Sequence, residues 1–188
     1  MDSLVNDYDL AFENGVGQGP HSFIIYFKRD VNKFFLKSYR DKLFTGQIHI
    51  KVDPKADFII YKKEIFLLSE SYFQITPIQS GLIEIQNLGG NIKENDSGKY
   101  TYDPEDTRSI TIGRDKKCTM AFSWDKSFSK IQTTISYDYE NKVWKLRDGN
   151  GDKPSTNGCW VYAIHSFEIQ DNTVFQLGNS RFRLTYCK

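Results

Sequence analysis

At 188 residues, with 39% apolar and 26% charged side chains, the chain has room for one large domain or two small ones and is too apolar to be disordered. Lys and Arg number 25 against 24 Asp and Glu, a formal charge of +1, which excludes a global field that would recruit nucleic acid or acidic lipid. Phe and Tyr, at 14 and 11, favour strands over helices.

The first residues, MDSLVNDYDLAFENG, are acidic and lack the basic-then-apolar profile of a secretory signal. Gly15-Val16-Gly17-Gln18-Gly19-Pro20 imitates a phosphate loop, but no strand precedes it and proline stands where the helix should begin. Residues 1–20 therefore read as a tail or linker. Beyond them nearly every apolar segment is short, β-branched or aromatic, and bounded by turn residues. Strands are predicted at 21–28, 33–39, 44–52, 64–69, 72–78 and 81–88, then at 99–103, 108–112, 118–122 and 132–139. The series ends with 142–148, 158–163, 167–169, 173–177 and 180–186. No segment offers a sustained helical stripe, so the expected class is all-β and sandwich-like. No apolar run approaches the roughly 18 residues of a membrane span.

An internal echo runs through the series. Phe175, Leu177, Phe182 and Leu184 repeat Phe66, Leu68, Phe73 and Ile75 at an offset of 109. Trp144 and Leu146 fall on Phe34 and Leu36 at an offset of 110. A near-constant offset over two blocks points to a duplicated sheet element. Residues 21–80 then read as a β-rich, degenerate half-repeat of a domain at 82–186. Nothing before Phe23 reads as a counterpart of residues 107–130, so the half-repeat is expected to be covered by the C-terminal domain or another subunit.

The chemistry-bearing residues concentrate late in the chain. Between 108 and 130, Arg108, Arg114, Lys116, Lys117, Lys126 and Lys130 face only Asp115 and Asp125, and they alternate with glycine and hydroxyl residues. That is the composition of a small anion site. Gly113 allows a sharp turn that points Arg114 out of the sheet's end. If the strands at 108–112, 118–122 and 132–139 form a meander, the Arg114 loop and the loop before Thr133 need not share an end, so this pairing stays open at the level of spacing alone.

The order Gly113-Arg114, Ser129-Lys130-x-Gln132, Trp144-x-Leu146-x-Asp148 and Ser155-Thr156-Asn157-Gly158-Cys159-Trp160 resembles the forkhead-associated (FHA) domain, over about residues 82–186. The pattern of that family is roughly Gly-Arg, then Ser-Arg-x-His, then Asp-x-x-Ser-x-Asn-Gly-Thr. The resemblance implies a β-sandwich that binds phosphothreonine peptides with the loops at one end. By position, Arg114 and Ser129 are the implied phosphate contacts and Lys130 an added charge at the rim. Thr156 is the implied second-loop contact, and Asn157 holds the peptide backbone. Gly113, Gln132, Asp148, Ser155 and Gly158 shape the loops. Gln132 replaces histidine at a bracing position where an amide can still donate and accept, and Cys159 replaces threonine at another structural position. Three charge-assisted bonds at ~1.5–3 kcal/mol each, less ordering entropy, place the expected dissociation constant near micromolar.

Other sites are set aside. His21, His49 and His165 are isolated and form no triad. DGNGD at 148–152 begins like an EF-hand, but Lys153 occupies the glycine position and Cys159 that of the bidentate glutamate, so no calcium is expected. Aromatic residues such as Phe23, Phe58 and Phe66 lack the basic stripe of a base-stacking platform. Cys118, Cys159 and Cys187 share no metal spacing and read as thiols of a reducing cytoplasm, which makes the sequon at Asn95 a chance match. The expectation is a non-enzymatic phosphothreonine-peptide adaptor without cofactor or metal. Its partner would be a phosphorylated protein, not nucleic acid, membrane or a small-molecule substrate. The alternative is a structural subunit of a larger cytoskeletal or ciliary assembly that uses the fold as a docking block without phosphate dependence.

Overall fold

The computed structural model describes residues 10–13, 22–38, 48–90, 98–163, 166–178 and 180–186. His21, His165, Cys187, the sequon at Asn95 and most of the predicted linker lie outside the described residues. The described chain is all-β, with a single short 3-10 turn at Gln79–Gly81. No helix among these residues is long and apolar enough to cross a membrane. Contacts divide the chain into two compact units, 1–50 with 162–188, and 51–161.

The second unit holds two sheets. One has the order β11-β10-β12-β13-β5, from β5 (Phe58–Ile60), β10 (Ser109–Gly113), β11 (Met120–Ala121), β12 (Thr133–Asp138) and β13 (Val143–Asp148). The other is built from β6 (Glu64–Leu68), β7 (Ser71–Pro77), β8 (Ile83–Gly89) and β9 (Lys99–Tyr102), with β14 (Cys159–Tyr162) paired to β6. Alternation decides the faces. Along β7, Ser71, Phe73 and Ile75 are buried while Tyr72 and Gln74 are half-exposed, and β13 alternates in the same way with Trp144, Leu146 and Asp148 inward. Phe66, Phe73, Ile75, Ile85, Ile110, Ile135 and Trp144 form a core in which Phe122 stacks on Phe128 at 5.1 Å and meets Phe73 edge-on at 5.6 Å. Each such aromatic, once buried, contributes about 1.5–3 kcal/mol. The Trp144 indole N–H, which could not be buried alone, donates to the Gly81 carbonyl at 2.7 Å.

The first unit contains the sheet β1-β2-β3-β15, from β1 (Leu10–Glu13), β2 (Ser22–Lys28), β3 (Lys33–Ser38) and β15 (Phe167–Glu168). It also contains the ladder β17-β16-β4, from β4 (Ile48–Lys51), β16 (Thr173–Leu177) and β17 (Ser180–Leu184). Its buried apolar residues include Leu36, Ile48, Ile50, Ile169 and Phe175.

Two strands escape the sequence reading, β1 and β5. Before Phe23, where no counterpart of residues 107–130 was expected, stands β1. It pairs with β2 through Leu10 and Ile25, as β10 pairs with β12 through Ile110 and Ile135. The hairpins of the internal echo are placed unexpectedly. The second unit is closed by β5, β6 and β7, which precede its opening strand β8, whereas the C-terminal hairpin β16–β17 belongs to the first unit. The compact units thus cut the chain differently from the sequence repeat.

Candidate functional site

The loops that follow β10, precede β12 and precede β14 meet at one end of the second unit. β11 runs parallel to β10, so the chain crosses over instead of meandering, and the segment before β12 returns beside the end of β10. The Arg114 N–H donates to the Ser129 carbonyl at 3.0 Å, and the Asp115 N–H to the Lys130 carbonyl at 3.1 Å. This settles the open question of the Arg114 loop: it lies against the Ser129 loop. Gly113 makes the approach possible, since a Cβ there would lie 2.9 Å from the Ile131 Cα and nearer still to the Lys130 carbonyl oxygen.

Gln132 is fully buried and ties the loop before β12 to the loop before β14. Its Oε1 accepts the Ser129 N–H at 3.1 Å, and its Nε2 donates to Ser155 Oγ at 2.8 Å and the Gly158 carbonyl at 2.9 Å. Asp148, also buried, accepts the Ser155 N–H at 3.3 Å and hydroxyl at 2.6 Å. The Cys159 thiol donates to the Gln132 carbonyl at 3.2 Å and Asp148 Oδ1 at 3.3 Å, which occupies the bracing place a threonine hydroxyl would fill. Burial, and then the Asp148 charge, push this thiol well above its usual pKa. Gly158 has φ +75°, a conformation that glycine adopts without strain.

The rim above these braces is exposed. Ser129 Oγ accepts the Thr156 N–H at 2.9 Å and lies 3.3 Å from Thr156 Oγ1. Asn157 Nδ2 donates to the Ser127 carbonyl at 3.0 Å and reaches Ser69 Oγ at 3.5 Å. Arg114, Lys130, Thr156 and Asn157 are exposed, and the Arg114 guanidinium forms no ion pair or hydrogen bond among the described residues. The residues marked in the sequence as contacts and as loop-shaping thus fall into two layers, a polar rim and a buried brace.

The sequence reading missed three participants. Asp125, buried, accepts the Ser127 N–H at 2.8 Å and hydroxyl at 2.6 Å and so fixes the loop that Asn157 leans on. The Asp-x-Ser spacing is a recognisable turn signal that could have found it. Trp160 Nε1 donates to the Asn157 carbonyl at 2.9 Å. Ser69 arrives from the turn between β6 and β7, far away in sequence, and nothing local announces it.

What this end of the unit offers a ligand is an exposed arginine, unpaired among the described residues, whose loop lies against the one that carries Ser129 and Lys130, with Thr156 and Asn157 on the loop before β14. Such a set suits a tetrahedral dianion joined to an extended backbone. The chain has no match among curated proteins or among solved structures. The family model of the FHA domain matches residues 110–178, from within β10 to just past β16, so the chain carries an FHA domain, generally a non-catalytic, phosphothreonine-binding module of protein interaction.

Proposed function

We propose that this protein is a phosphothreonine-dependent adaptor whose second unit reads the modified side chain. Arg114 and Ser129 would contact the phosphate, Lys130 would add charge at the rim, Thr156 would close the second loop, and Asn157 would hold the peptide backbone. The observation that carries the reading is the state of Arg114. It is exposed beside Ser129 and unpaired among the described residues, so its full charge is available to a ligand. A purely structural arginine would be expected to sit against a carboxylate.

Residues 21–80 fit the role of a degenerate, phosphate-blind companion to the domain at 82–186. The register of β1 with β2 sets Glu13 where Gly113 stands in the later repeat, and the sequence that follows Glu13 carries asparagine where Arg114 follows Gly113. The competing reading is a structural docking block of a larger assembly, which would bind its partner without regard to phosphate.

Fluorescence anisotropy with a degenerate phosphothreonine peptide library, run beside its unphosphorylated twin, separates the two. The adaptor reading expects binding of the phosphorylated set alone, weakened about tenfold or more by Arg114→Ala in a protein that stays folded. Equal binding of both sets, or of neither, contradicts it.

A further inference from the structure

The proposed contacts leave most of the cations on the site loops without a role. Lys116, Lys117 and Lys126 are exposed on the loops that follow β10 and precede β12, and like Arg114 and Lys130 they form no ion pair among the described residues. The aspartates of the same loops are turned the other way. Asp115 Oδ1 accepts the Lys117 N–H at 3.0 Å, buried Asp125 holds Ser127, and buried Asp148 holds Ser155. Glu70, in the turn that carries Ser69, and Asp152, in the loop before β14, are exposed acids nearby in the chain. The loop aspartates thus serve their own backbone, while the ammonium groups face water.

One further cation has a fixed place. Lys51 ends β4 and opens the second unit, exposed between buried Ile50 and Val52. The Val52 N–H donates to the Cys159 carbonyl at 2.9 Å, which holds this backbone beside the start of β14. The Lys51 stem lies across Gly158, where a Cβ would stand 2.9 Å from Cε and 3.7 Å from Nζ. Its ammonium sits 5.9 Å from the centre of the Trp160 ring, an attraction that positions the charge without neutralising it. Lys51 forms no ion pair among the described residues. Gly158 directly follows Asn157, whose carbonyl the Trp160 indole holds at 2.9 Å. The charge therefore stands beside the carboxamide proposed to hold the peptide backbone. It lies outside residues 110–178, so no family motif points to it.

We infer that Lys51 is a further binding residue of this site, one that reads a carboxylate on the phosphothreonine peptide, so that the partner segment is acidic. This rests on the phosphothreonine reading of the same loops. An extended peptide advances about 3.3 Å per residue, so the residue whose backbone Asn157 holds and its near neighbours come within reach of the ammonium. A lone ammonium is a compact point charge without the fork that grips a phosphate at two oxygens, and it is matched to a single carboxylate. The exposed lysines of the other loops add a diffuse field of the same sign, which salt screens.

The probe is a set of fluorescein-labelled peptides, each with one phosphothreonine in an otherwise uncharged sequence. A single aspartate is moved from three residues before it to three residues after, each peptide beside its asparagine twin. Titrated with the full chain, aspartate should bind about two- to fivefold tighter than asparagine at one position or at close neighbours, the scale of an exposed ion pair. Lys51→Met keeps the stem over Gly158 and should erase that gain. Lys51→Arg should keep it, and Lys51→Glu should favour a lysine over the aspartate there, which a purely structural stem would not do. The inference is overturned if no position prefers aspartate, or if Lys51→Met leaves every preference unchanged, while Arg114-dependent binding of the phosphorylated peptides persists; the adaptor reading then stands alone. Phosphorylated peptides that bind no better than unphosphorylated ones overturn both.

Discussion

Replacing Gln132 with alanine removes the buried side chain that joins the loop before β12 to the loop before β14. Three hydrogen bonds go at once, and the Ser129 N–H, the Gly158 carbonyl and the Ser155 hydroxyl lose a partner. Ser155 keeps its bond to Asp148, so two main-chain groups bear the loss. A buried polar group left unsatisfied costs about 1–3 kcal/mol, and water entering the vacated space would return part of that, so the net destabilisation should be about 3 kcal/mol. Gln132→His restores one acceptor and one donor and should recover more than half of the loss. Urea unfolding followed by tryptophan fluorescence measures both variants, and the slope should not change. Phosphopeptide affinity should fall in Gln132→Ala under conditions where the protein is still folded, because only the exposed rim bonds from Thr156 and Asn157 would then hold the Ser129 and Thr156 loops together. A Gln132→Ala protein within about 0.5 kcal/mol of the parent, the usual range of an inconsequential surface change, would refute the bracing role.

Other outcomes follow from the same geometry. Gly113→Ala should destabilise the second unit and weaken phosphopeptide binding, since its Cβ would press on the Lys130 carbonyl, and a thermal melt with a binding titration reads both. Cys159→Thr should be nearly neutral, within about 1 kcal/mol, because a hydroxyl can donate to the same Asp148 and Gln132 acceptors; the native thiol should resist maleimide until the protein unfolds. A buried group and a half-buried one give opposite pH slopes. Burial lowers His49 to about 4, so as pH falls the unfolded chain takes the proton first; stability is full above about 6.5 and drops by roughly 3 kcal/mol through the window down to about 4. Burial raises Glu64 to about 7 against the opposing pull of Lys62, so its contribution is kept at low pH and lost as pH rises from about 4.5 through 7. Denaturation between pH 4 and 7 should show stability rising with pH in Glu64→Gln and falling with pH in His49→Leu; the same slope in both would contradict the assignments.

Much of this was written plainly in the chain. The alternation of β7 and β13 gave away both their strands and their inward faces, and the candidate site residues came from the family resemblance that Gly113-Arg114, Ser129-Lys130 and Ser155-Thr156-Asn157-Gly158 carry. β5 was missed because three residues between Asp57 and Tyr61 are too few to show a period, and β1 because LAFE sits inside an acidic stretch. The placing of the hairpins was beyond reach. β6–β7 and β16–β17 carry the same aromatic pattern, so local sequence fits either unit equally well. Within the site, Gln132 could be read as a brace because an amide both donates and accepts. The support for Asn157 comes from the Ser127 carbonyl and from Ser69, and a backbone carbonyl carries no residue signature at all.

The account rests on the charge at Arg114 being held for a ligand. The most direct measurement is the affinity of one phosphothreonine peptide selected from the library, for the parent chain and for Arg114→Ala, at matched ionic strength. Losing a charge-assisted bond of about 1.5–3 kcal/mol predicts a weakening of roughly 10- to 150-fold, with unfolding stability unchanged. Equal affinity of the two proteins, or a variant that unfolds, would contradict it.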